Sequence, residues 1–147
     1  MPAMHIPLLC LLGFVLWTVL LVVVGIAAVR LTAIATGKAP PNGFPADVPH
    51  GSDRYRRTMR AHMNCVENLP LFASVVLTGA VVHAGSPLMD TLALTYMGAR
   101  VLHSLLHIAS GEFAVIAVRL ISYVVQLVCL SWMGLLVARV IMSGRLV

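Results

Sequence analysis

Long apolar runs separated by short polar segments dominate the chain from end to end. The first run, Ile6 to Val29, contains no charged side chain and ends at Arg30. Three further apolar runs follow it along the chain. Because a helix crosses the hydrocarbon core of a bilayer with about 20 apolar residues, this pattern predicts four membrane-spanning helices. Their expected bounds are 6–31, 53–83, 88–109 and 113–142.

The segments between the runs carry residues that end helices. Residues 36–53 contain four prolines and three glycines, which predicts a loop in water rather than a helix. Ser52 or Asp53 is a good N-cap for the second helix, and Pro70 inside that helix predicts a kink. The two later turns are short, so consecutive helices must run antiparallel. The predicted fold is all-α, an antiparallel four-helix bundle forming a single domain, 1–147.

Composition agrees with a membrane protein. Of the 147 residues, 60% are hydrophobic and only 10% are charged, which excludes an ordinary water-soluble domain. Most of the net charge of +5 is explained by membrane topology. We therefore expect the protein to contact lipid and not to bind nucleic acid. The three cysteines, Cys10, Cys65 and Cys129, form no CxxC pair, and we expect them to be reduced.

The distribution of basic residues predicts the orientation. The loop between helices 1 and 2 and its approaches are strongly basic, whereas the N-terminal tail and the 83–87 turn carry no lysine or arginine. Basic loops remain on the cytoplasmic side, so this loop should be cytoplasmic and both termini external. The tail lacks the positive start of a signal peptide, so helix 1 should be retained. Arginine-rich, lysine-poor usage suggests a bacterial inner membrane. The basic residues of this loop are Arg30, Lys38, Arg54, Arg56, Arg57 and Arg60.

Polar side chains within the predicted helices gather near the cytoplasmic face. At about 1.5 Å of rise per residue, Arg119 lies about two turns into helix 4 from the cytoplasmic turn. A charge in hydrocarbon costs at least about 2.5–3.5 kcal/mol, so these groups should face a cavity or a partner. Since Glu67 is the nearest acid, the surplus positive charge predicts an anion site. Helical spacing forms three stripes: Arg60, Asn64 and Glu67; Arg100, His103 and His107; Arg119, Tyr123 and Gln126.

Structural explanations compete with this site. Arginines at helix ends can simply extend to the interface, and Glu67 can form an ion pair with Arg60 or Arg100 that holds helices together. His103 and His107 have the spacing of metal or haem ligands, but haem needs opposed histidines on different helices. The sequence supplies no clear pair, so no metal is predicted. The arginines explained by extension to the interface are Arg30, Arg54, Arg56 and Arg57, and, on the other face, Arg139 and Arg145.

The segment 60–72, RAHMNCVENLPLF, resembles the signature of the MAPEG family, the membrane-associated proteins in eicosanoid and glutathione metabolism. Further matches follow in order along the chain. They are Val29-Arg30-Leu31, Ala99-Arg100 with His103, and Arg119 with Tyr123. The resemblance therefore covers essentially the whole chain.

The resemblance implies a homotrimer that binds glutathione between subunits near the cytoplasmic face and takes an apolar substrate from the lipid. It assigns Arg119 as the catalytic arginine, which stabilises the glutathione thiolate. The remaining expected ligands of glutathione are Arg30, Arg60 and Arg100 for carboxylates, Glu67 for the ammonium, and Asn64, His103 and His107 for the amides, with Tyr123 beside them.

Three departures from the family pattern bear on the reaction. His107 stands where relatives usually have a tyrosine, Leu120 where prostaglandin E synthase has a serine, and Met63 where some relatives have a basic residue. Prostaglandin isomerisation is therefore not favoured, and we expect a glutathione transferase or peroxidase. The alternatives are a non-catalytic adaptor that binds glutathione or lipid, and an anion channel. A channel needs polar residues through the full bilayer depth, and the outer halves of helices 1 and 2 are apolar.

Overall fold

The computed structural model describes residues 4–45 and 48–144, and in these ranges the chain forms four long helices and no strand. The helices are α1 (His5–Ala35), α2 (Asp53–Val81), α3 (Pro87–Ala109) and α4 (Phe113–Met142). The predicted all-α class is therefore confirmed. The largest difference in bounds is at the end of α1, which continues four residues beyond the predicted position 31. Arg145 lies outside the described residues.

Serine side chains begin two of the helices. The hydroxyl oxygen of Ser52 accepts a 3.3 Å hydrogen bond from the backbone N–H of Tyr55 at the start of α2. Ser86 accepts the equivalent bond from Met89 at 3.1 Å at the start of α3, where Pro87 occupies the first turn. Both bonds satisfy backbone donors that have no partner within the helix. α2 continues as a helix through Pro70.

α1 is not a regular α-helix over its whole length. It is α-helical over His5–Leu20 and Ala28–Ala35, with a π-helical segment at Leu21–Ala27 between them. In this segment Gly25 lies so close to α2 that an added Cβ would stand 2.3 Å from Cγ2 of Thr58. Sequence periodicity did not predict the π-helix, because a uniformly apolar run carries no signal for a change of helical pitch.

Side-chain contacts show that consecutive helices run antiparallel. In each pair, residue numbers that rise along the first helix are matched by contact partners whose numbers fall along the second. A four-helix bundle of this topology was expected from the short turns, and the described residues form one. The contacts are Phe14–Phe72 and Arg30–Tyr55 between α1 and α2, Asn64–Arg100 and Arg57–Ile108 between α2 and α3, and Ala99–Gln126 and His103–Arg119 between α3 and α4.

An aromatic cluster fills the centre of the bundle. The rings of Phe72 and Tyr96 stack with centroids 4.3 Å apart, and Phe14 packs against both at 6.1–6.2 Å. Offset and tilted aromatic pairs of this kind add stability beyond their buried area. Cys10, Cys65 and Cys129 are buried and unpaired. This core joins α1, α2 and α3 directly above the polar groups described below.

The outer surface of the bundle is apolar. α1, α2 and α4 are long and apolar enough to cross a membrane. In the apolar 18-residue stretch of each of these helices, only 17–28% of the residues are buried inside the protein. A water-soluble monomer does not expose apolar surface on this scale. α3 falls outside this set because Asp90, Arg100 and two histidines lower its hydropathy, although its 23 residues give it comparable length.

Candidate functional site

A polar cleft of about 320 Å³ opens between α2, α3 and α4. Five of the nine residues proposed from the sequence line it, together with two apolar side chains. The polar lining residues are Asn64, His103, His107, Arg119 and Tyr123, and the apolar ones are Ile116 and Leu120.

Local helical geometry explains why these residues meet. His103 and His107 lie one turn apart on α3, and Ile116, Arg119 and Tyr123 follow one another on a single stripe of α4. Only three residues, 110–112, separate the two helices. The last turns of α3 therefore lie beside the first turns of α4, and both stripes face the same cleft.

His103 is held in a defined orientation. Its Nδ1 atom lies 3.1 Å from the backbone oxygen of Arg119 and 3.2 Å from Oγ of Ser122. Because a carbonyl oxygen only accepts hydrogen bonds, Nδ1 must carry the ring proton. Nδ1 therefore donates a hydrogen bond to the backbone oxygen of Arg119. In the neutral ring Nε2 is then an acceptor, since the two ring nitrogens have opposite roles. The ring of His107 stands edge-on to His103 at 6.0 Å, and the ring of Tyr123 is tilted against His103 at 5.8 Å.

Arg119 is half-buried at the wall of the cleft. Among the described residues, the one ion pair joins Arg56 to Asp53, both in the first turn of α2. The guanidinium of Arg119 is therefore not neutralised by a carboxylate of the described chain. A half-buried cation without a counter-ion attracts an anionic ligand. No group of three or more His, Cys, Asp or Glu residues arranged to hold a metal ion occurs within 4–45 and 48–144.

Arg100 lies behind the cleft and does not reach its surface. Its side chain is fully buried, with 0% exposure. Nη1 donates a hydrogen bond to Oδ1 of Asn64, and the guanidinium carbon lies 5.4 Å from the ring centre of Phe14. Nε and Nη2 have no hydrogen-bond partner among the described residues. Of the residues that line the cleft, Asn64 is the one to which Arg100 donates a hydrogen bond in the described chain.

Arg30 lies apart from the cleft, in an aromatic cluster at the end of α1. Its Nε donates a 2.6 Å hydrogen bond to the hydroxyl of Tyr55, and its guanidinium stands over the ring of Phe44 at 5.3 Å. His50 packs between Phe44 and Tyr55, at 5.7 and 5.4 Å respectively. These contacts hold the 36–52 loop against the helix ends.

Arg60 and Glu67 also lie outside the cleft. Arg60 is exposed and lines two depressions under the loop, of about 170 and 410 Å³. Glu67 is exposed and forms no ion pair with another described residue. An ion pair from Glu67 to Arg60 or Arg100, the structural alternative, is therefore not made within the described chain.

Sequence reasoning missed several residues around these groups. Ser122 had a usable signal, because it lies one helical turn from Arg119 and its hydroxyl donates to the Arg119 carbonyl at 2.7 Å. Phe14, Phe44 and Tyr55 had none, since each meets its arginine through a contact between different segments. Aromatic residues at such distances in the sequence give no periodic pattern.

The fold and the cleft define the class of protein. A bundle of long helices with an apolar exterior, in which Arg119, His103 and His107 meet in one cleft, is an integral membrane protein. The MAPEG family model matches residues 7–139, nearly the whole chain, and the protein belongs to this family. Its function therefore falls within the membrane-bound glutathione and eicosanoid metabolism of that family. No curated protein sequence matches the chain significantly.

Proposed function

We propose that the protein is a membrane-bound glutathione transferase, with peroxidase activity toward lipid hydroperoxides, which activates glutathione as a thiolate. The observation that carries the proposal is the cleft in which Arg119 meets Asn64, His103 and Tyr123 without an acid to neutralise it. Membership of the MAPEG family supports the same ligand.

Arg119 acts on the thiol of glutathione. A free thiol has a pKa of about 8.5, so it is mostly protonated at neutral pH, and an adjacent cation lowers this pKa into the range where the thiolate predominates. The guanidinium cannot lose its own proton at any physiological pH. It therefore supplies a permanent positive charge to the sulfur, and the thiol proton leaves to solvent.

The other polar groups of the cleft orient the tripeptide. Nε2 of His103 is available to accept a hydrogen bond from a peptide N–H, because Nδ1 already donates to Arg119. Tyr123, His107 and the amide of Asn64 line the same space and offer further hydrogen bonds. Binding the peptide in one orientation places its sulfur beside Arg119 before the second substrate arrives.

The apolar wall supplies the route for the second substrate. Ile116 and Leu120 line the cleft and are 39% and 62% exposed at the outer surface. An apolar electrophile dissolved in lipid reaches the sulfur along these side chains. In conjugation, a carbon–sulfur bond forms and the leaving group departs with its electron pair. With a hydroperoxide, the sulfur attacks the outer oxygen, the O–O bond breaks, the alcohol leaves, and the sulfur becomes a sulfenic acid. A second glutathione thiolate then attacks this sulfur and displaces hydroxide, which gives the disulfide and water.

The proposal extends to a homotrimer. Arg60 and Glu67 are exposed on α2, a helix apolar enough to enter the membrane. A charge facing lipid costs at least about 2.5–3.5 kcal/mol, so a neighbouring subunit is the better surroundings. In this arrangement Arg60 and Glu67 contribute to the glutathione site of an adjacent copy, and Arg30 holds the loop beside them through Tyr55 and Phe44. The arginines on the helix ends that flank the 36–52 loop favour the cytoplasmic side of the membrane for that site, and we propose a bacterial inner membrane.

The test is the thiolate itself. Detergent-solubilised protein titrated with glutathione should develop the ultraviolet absorbance of a thiolate and should conjugate a chlorinated aromatic. Arg119→Ala should abolish the thiolate signal at neutral pH and lower the conjugation rate by at least about a hundredfold, because the permanent charge beside the sulfur is lost.

Arg139→Ala is the matched control, since Arg139 lies on the same helix, is exposed, and is remote from the cleft. It should leave both signals unchanged. If the wild type binds glutathione but shows neither thiolate nor turnover over a broad set of electrophiles, the protein is the non-catalytic adaptor instead.

A further inference from the structure

The most unusual charge in the molecule is the buried guanidinium of Arg100. It is the largest fully buried side chain among the described residues, and its guanidinium faces the ring of Phe14. No carboxylate of the described chain pairs with it. Its one side-chain hydrogen bond goes to a neutral amide, Asn64.

Such a charge is costly to retain. Removing a cation from water costs several kcal/mol even after the protein relaxes around it, and two of the nitrogens of Arg100 recover no hydrogen bond. The ring of Phe14 at 5.4 Å offsets part of this cost through a cation–π interaction. An apolar residue of similar volume would pack here at lower cost, so the energetics point to a function for Arg100.

The chemistry of the two groups fixes how Asn64 is turned. A guanidinium has donors and no acceptor, so only the oxygen of the Asn64 amide can face it. The amide nitrogen lies at the other end of the same planar group. Because Asn64 lines the cleft, its two N–H donors are directed away from Arg100, toward the space that a ligand would occupy.

We propose that Arg100 is a positioning residue, which holds the Asn64 amide with its N–H donors toward the cleft so that they bind acceptor atoms of glutathione. This inference rests on the proposed function. Without Arg100 the amide can rotate by half a turn and present its oxygen, which repels a thiolate or carboxylate. The cleft would then lose a donor and gain a competing acceptor.

A double-mutant cycle tests the coupling. Glutathione affinity is measured by titration calorimetry on the detergent-solubilised protein for Arg100→Met, Asn64→Ala and the double variant. Each single change should weaken binding by about tenfold, the loss expected for a hydrogen bond to a charged group. The double variant should be no weaker than Asn64→Ala, because Arg100 acts only through Asn64. Arg100→Lys, which also has donors only, should restore most of the affinity.

A second variant covers the case in which Arg100→Met does not fold. Asn64→Asp keeps an acceptor toward Arg100, now as an ion pair, but removes both N–H donors from the cleft. It should fold at least as well as the wild type and bind glutathione at least tenfold more weakly.

The outcomes separate the two proposals. Losses that simply add in the double variant, or wild-type affinity in Asn64→Asp, would overturn the role of Arg100 while leaving glutathione binding intact. Absence of glutathione binding in the wild type would instead remove the proposed function.

Discussion

Arg30 and Arg119 are chemically identical but have opposite surroundings. The Nε of Arg30 is engaged by the Tyr55 hydroxyl at 2.6 Å, and its face is covered by Phe44. Arg119 lines an open cleft and has no acid partner in the described chain. A guanidinium held by aromatic side chains of its own chain stabilises the fold, whereas one that lines an open cleft without an acid partner is available for a ligand.

Two matched substitutions separate these roles. Tyr55→Phe removes the hydrogen-bond partner of Arg30 and should lower the free energy of unfolding in detergent by about 1.5–3 kcal/mol, the range for a hydrogen bond to a charged group. It should leave glutathione affinity within about twofold. Tyr123→Phe removes a hydroxyl that lines the cleft. It should weaken glutathione binding and leave the free energy of unfolding unchanged. Equal effects of the two variants on affinity would contradict the distinction.

Helical spacing identified the cleft residues well, but not their depth. His103, His107 and Arg100 form one stripe on α3, yet two line the cleft and Arg100 is buried behind it. Spacing specifies the face of a helix on which a side chain stands. Whether that side chain reaches solvent depends on the neighbouring helix, which here places Asn64 and Phe14 around Arg100.

At the scale of elements, the least expected feature is the π-helical segment of α1. Its extra backbone residue per turn changes the direction of the following side chains. It also brings Gly25 against Thr58, where a Cβ would be 2.3 Å from the methyl carbon. The absence of a side chain at this position is therefore a requirement of packing between α1 and α2.

The packing requirement predicts a clear stability difference. Gly25→Ala should lower the melting temperature measured by circular dichroism in detergent, because the added methyl overlaps Thr58. Thr58→Ser removes the obstructing Cγ2 and should restore most of the loss in the double variant. Gly98→Ala is the control, since a Cβ there meets nothing within 4 Å, and it should be neutral or stabilising. Equal destabilisation at both glycines would show that the close contact is unimportant.

At the scale of the whole molecule, most of the apolar surface faces outward. Lipid is a favourable environment for the apolar side chains but not for the carboxylate of Glu67. Glu67 is exposed on α2, and the nearby apolar residues Val66 and Leu71 are exposed as well. Glutathione offers an ammonium that a carboxylate can bind. The exposed position of Glu67 thus favours a site completed between subunits.

The proposed homotrimer predicts the mass of the complex in detergent. Light scattering of the detergent complex, corrected for bound detergent, should give the mass of three chains. Glu67→Gln removes the partner of the glutathione ammonium and should weaken glutathione binding by about tenfold. Glu112→Gln, in the exposed turn before α4, should have no effect. A monomer that binds glutathione with full affinity would exclude the shared site.

The amino-acid sequence by itself determined the helical class, the number of helices, their antiparallel order and the family. These follow from the lengths of the apolar runs, the turn residues between them and the 60–72 motif, all of which are local properties. It also predicted that His103 and Arg119 lie on facing sides of neighbouring helices, because a three-residue turn leaves α3 and α4 side by side.

Only the tertiary structure decided which polar groups share the cleft. It placed Arg100 behind Asn64, paired Arg30 with Tyr55, and left Arg60 and Glu67 at the surface. These outcomes depend on contacts between residues 25 or more positions apart. Such contacts are set by the rotation and depth of whole helices against one another, which the periodicity of any one helix does not contain.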